Sequence, residues 1–256
     1  MAITNPRHHM TATDMFTLRL SPSQIRRVGT KTDEELLARM TKGFFGGWIF
    51  LPELALFRLL LVGKAKDRTV GFSALEPEII PDSPFEAKNA FMGIINTFSS
   101  SPSGTGPTRV WKPEDIPTKA LLPDKAILYG GFQVVDHRCP SIPPALSDDV
   151  PLAEQIGSWV DISFGSDTAP FTGCHRLEVL RPRRRSLGGP EQIENSGGVI
   201  DIHADSEEES QVVLRLSHFR LNPIVNQPSP VEGLKGFHFV YARLLFEDSV
   251  RRVLGP

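Results

Sequence analysis

The sequence predicts an α+β fold, a curved antiparallel sheet wrapped around a long C-terminal helix with short helices near the N-terminus. Three observations carry that expectation. The runs Gly157-Ser-Trp-Val-Asp-Ile-Ser-Phe-Gly165, Thr172-Gly-Cys-His-Arg-Leu-Glu-Val-Leu180 and Gln211-Val-Val-Leu-Arg-Leu-Ser-His-Phe-Arg220 read as strands. In the last stretch, Leu234, Phe237, Tyr241, Leu244, Leu245 and Val253 recur close to helical spacing. Short helices, then strands, then a long helix is the order of an α+β domain.

Residues 1–12 read as a flexible tail and 13–256 as a single ligand-binding domain. Met15-Phe-Thr-Leu-Arg-Leu20 alternates as a short strand does, and Ser21-Pro22 ends it. Thr32-Asp-Glu-Glu35 has the form of a capping box, with Glu35 reaching back, ahead of a helix through Leu36, Leu37 and Met40 to Gly43. Pro52 suits the first turn of a second helix, through Leu54, Leu56, Phe57, Leu60 and Leu61, which Gly63 closes. Ser99 to Pro107 is loop by composition. Ala126 to Asp136 reads as a strand pair, with Gly130-Gly131 allowing a bulge or bend. A proline-rich connection, Cys139 to Pro151, leads into the three central runs. The long insertion Arg181–Ser210 interrupts them. It opens on Arg181-Pro-Arg-Arg-Arg185 and ends on Asp205-Ser-Glu-Glu-Glu209, two opposite charge runs that read as a solvated, mutually neutralising loop.

At 256 residues the chain can bury a substantial core without staples. Its formal charge of −2 argues against a broad basic face for nucleic acid. Cys139 and Cys174 are too few for a disulfide framework, so reduced thiols in a cytoplasmic protein are expected. The first ten residues hold no apolar segment of the secretory kind. Phe44 to Val62 is the most apolar stretch, yet Gly46, Gly47, Pro52, Glu53 and Arg58 interrupt the roughly 20 apolar residues a membrane span needs. Sixteen phenylalanines against 2 tyrosines and 3 tryptophans suit a greasy core or pocket lining, because phenylalanine needs no hydrogen-bond partner.

The chemistry-bearing residues lie on the strand runs. On residues 174–180, His175, Leu177 and Val179 share one face and Cys174, Arg176 and Glu178 the other. Leu177 and Val179 are expected inward, which carries His175 to the cavity side, where an imidazole titrating near neutrality serves as acid or base. On residues 211–220 both faces hold apolar residues. With Val212, Leu214 and Leu216 inward, His218 meets His175; in the other register, Arg215 becomes a buried cation suited to an enolate or carboxylate. Periodicity leaves both open. Asp161 is expected to face solvent or to pair with a basic neighbour. Gly43-Phe-Phe-Gly-Gly-Trp-Ile-Phe50 is rich in aromatic residues and glycine, and places Trp48 and Phe50 either at a cavity entrance or in ordinary packing. Asp136-His137-Arg138-Cys139 holds metal-capable groups, but they are consecutive and lack supporting ligands, so no metal is expected. There is no Gly-x-Ser-x-Gly elbow, no P-loop and no glycine-rich fingerprint after a strand, and therefore no nucleotide cofactor is expected.

Phe164-Gly165, Pro170, Gly173 and the strand to Val179, then Phe219, Pro223 and a basic terminal helix with Arg243, Arg251 and Arg252, resemble the helix-grip superfamily of lipid-transfer and pollen-allergen-like domains. Within it the chain is most similar to the domain-of-unknown-function family numbered 1990. The resemblance covers mainly the C-terminal half. Two departures stand against it: Ala169-Pro170-Phe171 replaces the family's turn histidine, and Arg181–Ser210 exceeds the family's hairpin. The resemblance implies a cavity between sheet and helix, and no single chemistry.

The expected protein is thus a monomer or homodimer that binds an apolar or aromatic small molecule, with Leu177, Val179, Phe237 and Tyr241 among its contacts. His175, His218, Arg215, Glu178 and Asp161 are the candidates for a cofactor-free cyclisation, isomerisation or dehydration in natural-product biosynthesis. The alternatives are a non-catalytic lipid or metabolite carrier, and an interaction protein whose pocket its own phenylalanines fill.

Overall fold

The computed structural model describes residues 3–29, 32–55, 70–75, 108–140, 157–181, 212–229, 232–233 and 235–255. Its centre is a curved, open seven-stranded sheet in the order β1-β7-β6-β5-β4-β3-β2. The strands are β1 (Ala12–Leu20), β2 (Arg109–Val110), β3 (Ile127–Leu128), β4 (Phe132–Arg138), β5 (Ser158–Gly165), β6 (Thr172–Leu180) and β7 (Val212–Leu221). All neighbours pair antiparallel except β2 with β3. The three central runs are therefore strands, and they lie side by side.

The helices whose full extent lies within the described residues are α1 (Pro22–Val28), α2 (Asp33–Gly46) and α3 (Lys235–Leu254). α1 follows directly where the sequence suggested only the end of a strand. Ser21 accepts from the Gln24 backbone amide while the Gln24 side chain accepts from the Ser21 amide, so the reciprocal cap sits here. At α2, Thr32 caps the Glu35 amide, but the Glu35 carboxylate turns forward to Arg39 instead of back. Residues 51–55 are helical, as Pro52 suggested, and the later part of that expected helix lies outside the described residues. So do the loop 99–107, the connection 141–156 and nearly all of the insertion that begins at Arg181.

Residues 3–11, expected as part of a flexible tail, run against the sheet. The Thr4 and Ser163 hydroxyls share a hydrogen bond of 2.7 Å, and Arg7 and His9 bond the Pro223 and Asn222 carbonyls. This segment and Val70–Leu75 build a small second cluster on the sheet's far side, through Ile3, Val70, Phe72, Ile127 and Val135.

The main core lies on the near side. Val160, Ile162, Leu177, Val179, Leu214 and Leu216 point from the strands toward Leu36, Leu37, Met40, Phe44 and Phe45 of α2. α2 rests on β5 and β6, and α3 packs mostly on α2, touching the sheet at β1. Gly43 permits that helix pairing: a Cβ there would lie 2.6 Å from the Ser249 Cα and 2.7 Å from the Arg252 Cβ. The buried face of α3 comprises Ala242, Leu245, Phe246, Val250 and Val253, while Phe237 and Leu244 of the anticipated stripe are exposed. At that end of the helix Phe239 packs on the main core, while Phe237 borders a cavity.

Candidate functional site

A cavity of about 480 Å³ opens between the sheet, the end of α2 and the first turns of α3. That lies inside the roughly 300–1,000 Å³ typical of small-molecule sites. Its walls are mostly rings. Phe44 comes from α2, Phe50 from the following turn, Phe132 from β4, Phe164 from β5, and Phe237 and Tyr241 from α3. Phe237, 71% exposed and stacked on Tyr241 at 6.0 Å, stands at the rim.

The polar groups set into this surface are few. His175, Glu53, His238 and Tyr241 all reach the wall. The Tyr241 hydroxyl donates to Glu53 Oε2 at 2.6 Å. Burial raises the Glu53 carboxyl above its ordinary range, the Tyr241 hydrogen bond opposing it, and burial with the neighbouring carboxylate raises the Tyr241 phenol.

Pairing of β6 with β7 sets His175 opposite His218. Their Nδ1 atoms are 2.8 Å apart, and on its other side His218 Nε2 lies 2.7 Å from His238 Nε2. The register question is thereby answered: Val212, Leu214, Leu216 and His218 face inward. Gly173 helps to shape this end. Its missing side chain leaves room for Phe164, whose ring would otherwise come within 2.4 Å of a Cβ, and Phe164 lies parallel over His218 at 5.7 Å. Phe44 and Phe164 also flank His175, at 4.9 and 5.1 Å.

An apolar cage of this kind disfavours a charged ring. Burial, with His238 and Arg220 adding repulsion, pushes His175 down to about 3. His218 goes well below its usual value for the same first cause, and His238 falls to about 4. A folded pKa below the unfolded value of about 6.5 means that the unfolded chain binds more protons in the window between them. Stability present above pH 6.5 is therefore lost as pH falls toward the folded values. At pH 5 His175 alone contributes about 2 kcal/mol of that loss, and His218 acts in the same direction. Thermal midpoints at pH 7.5 and pH 5 are expected to differ accordingly, and less so in His175→Phe. A variant as pH-sensitive as the parent would show that the ring is not held neutral.

The other expected site residues lie elsewhere. Arg215 and Glu178 sit opposite each other on the far face of β7 and β6, both buried, with Arg215 Nη1 donating to Glu178 Oε2 at 3.2 Å. Glu178 Oε1 also accepts from the Gly157 amide. Asp161 is buried rather than solvent-facing and holds Arg176 through two bonds of 2.7 Å, the guanidinium lying 4.2 Å over the Trp159 ring. These three residues stabilise the sheet away from the cavity. Leu177 and Val179 are fully buried in the packed core and do not form the cavity wall, and Trp48, 82% exposed, stands outside it. Phe50, Phe237, Tyr241 and His175 are on it.

Sequence reading did not single out His238, Glu53, Phe132 or the Phe164 side chain, and it named Phe44 only within the aromatic run 43–50. His238 lies within Phe237-His-Phe239, one helical turn before Ala242, a position that signals a helix face but not a strand partner. His137 pairs with the Asp124 carboxylate at 2.7 Å, and among the described residues no group of His, Cys, Asp and Glu is arranged to hold a metal. No described helix is long and apolar enough to cross a membrane. Comparison of the chain with protein-family models, with curated proteins and with solved structures finds no match.

Proposed function

We propose that this protein takes an apolar, aromatic small molecule into the cavity beneath α3 and exchanges a proton with it through His175, without a cofactor. The observation that supports this reading is a phenylalanine-walled space of about 480 Å³ into which a caged neutral imidazole projects. Aromatic walls select flat apolar ligands by area and ring contact. A neutral histidine inside them carries one N–H and one bare ring nitrogen at physiological pH, so it can give or take a proton without first titrating. Wall residues come from the sheet, from α2 and from the terminal helix.

The carrier reading shares the cavity and differs only in turnover. The occupied space is tested by filling it. Ala242 is buried on α3 and borders the cavity. Ala242→Phe is expected to weaken binding of phenyl allyl ketone, an apolar aromatic probe, by at least about tenfold, since the added ring displaces ligand contact area. The thermal midpoint should stay within a few degrees because the ring enters empty space. Undiminished affinity in a folded variant would place the ligand elsewhere.

A further inference from the structure

His175 and His238 both border the cavity, and the fully buried His218 joins them from behind, using one ring nitrogen for each. Among the described residues, His175 Nε2 and His238 Nδ1 have no hydrogen-bond partner. The chain thus has two open ends and a closed middle. We propose that His175, His218 and His238 form a neutral proton relay with which the cavity isomerises an unsaturated aromatic ketone, one end ring removing a proton from the ligand while the other returns one at a different atom. This deepens the cavity reading above and rests on it.

The tautomer arithmetic permits only two neutral arrangements. A neutral imidazole carries one N–H, so each of the two hydrogen bonds has one donor and one acceptor. In the first arrangement His238 Nε2–H donates to His218 Nε2, His218 Nδ1–H donates to His175 Nδ1, and His175 carries its proton on Nε2. In the second, His175 Nδ1–H donates to His218 Nδ1, His218 Nε2–H donates to His238 Nε2, and His238 carries its proton on Nδ1. Passing from first to second takes up a proton at His238 Nδ1 and releases one at His175 Nε2. No ring becomes charged.

Applied to phenyl allyl ketone, the step balances. The proton α to the carbonyl goes to His238 Nδ1, and the electrons of that C–H bond form the new α,β double bond. The former β,γ π pair takes the proton from His175 Nε2 at the γ carbon, giving the conjugated phenyl propenyl ketone. Once product leaves, a water molecule accepts a proton from His238 Nδ1 and gives one to His175 Nε2, which restores the first arrangement.

The surroundings favour uncharged transfer. Arg220 opposes an imidazolium at all three rings, while the carboxylates that favour one at His238, Asp14 and Glu232, are both held by Arg220. On the cavity wall, Glu53 is engaged by Tyr241. Phe44, Phe45, Phe132 and Phe164 are the phenylalanines around His175. A ketone suits this environment because its α proton is acidified without a charged group entering the site.

The test uses the full chain labelled with nitrogen-15 in its histidines. Long-range proton–nitrogen spectra between about pH 5 and pH 8 are expected to show three neutral rings, with His175 and His238 in one tautomer and His218 in the opposite one. In His218→Phe the two outer rings are expected to lose that coupling. Phenyl allyl ketone should be converted to the conjugated ketone by the parent protein, and about 10²-fold more slowly or worse by His218→Phe, with binding affinity changed less than about threefold. A charged His218, unlike tautomers at His175 and His238, or a His218→Phe protein of full activity would overturn the relay while leaving the cavity reading intact. A parent protein that binds the ketone without converting it would overturn the isomerisation. Failure to bind the ketone at all would sink the cavity reading, and the ketone step with it.

Discussion

Glu178→Leu is expected to lower stability by about 3–5 kcal/mol, the usual cost of breaking a buried ion pair from one side. Glu178 and Arg215 are both buried and meet at 3.2 Å on the far face of the sheet. Burial alone pushes the Arg215 guanidinium down, and the Glu178 carboxylate pulls it back up. Without the carboxylate, the buried guanidinium loses its charged hydrogen-bond partner across the sheet. The Gly157 amide also loses an acceptor at the start of β5. Urea unfolding would read the loss as a lower midpoint at unchanged slope. The pair Glu178→Leu with Arg215→Met is expected to recover most of it, because well-packed apolar replacements of buried ion pairs are often neutral. A single variant within about 1 kcal/mol of the parent would mean that the pair is solvated.

His175→Ala is expected to reduce turnover of phenyl allyl ketone by about 10²–10⁴-fold, the range for loss of a general acid or base. Affinity should change far less, since Phe44, Phe50, Phe132, Phe164 and Tyr241 keep the walls in place. The division between kcat and binding is the informative part. A ring that merely packed against Phe44 and Phe164 would, on removal, alter affinity and stability together. A variant with full turnover would exclude His175 as the proton-transfer group and leave His238 or Glu53 as the groups that meet the ligand. His218→Ala differs in kind: that ring touches the other two histidines and not the cavity, so its loss acts through them.

The periodicity of residues 157–220 and the closing helical stretch by themselves determined that this is an α+β protein and that the runs 157–165, 172–180 and 211–220 form strands, which the structure bounds at 158–165, 172–180 and 212–221. Alternation is a local property of the chain, because successive side chains of a strand must point to opposite faces. The same alternation correctly divided His175, Leu177 and Val179 from Arg176 and Glu178. It left the face of β7 undecided, since Val212, Leu214 and Leu216 are as apolar as Val213 and Phe219 together. The choice came from the pairing register, which set Leu216 against Leu177 and His218 against His175, and so put Arg215 against Glu178. That register places the Glu178 carboxylate across the sheet from Arg215, on the same face.

Tertiary structure alone decided the site. Phe44 and Phe132 read as core in any sequence, and nothing local distinguishes a phenylalanine that packs from one that borders a cavity. Gly43 lets α3 approach α2 closely at Ser249 and Arg252, and the cavity lies under the first turns of the same helix. His238 is separated from His218 by 20 residues and a change from strand to helix. Their contact depends on where α3 crosses the sheet, a quantity fixed by packing over the entire core rather than by any stretch of sequence.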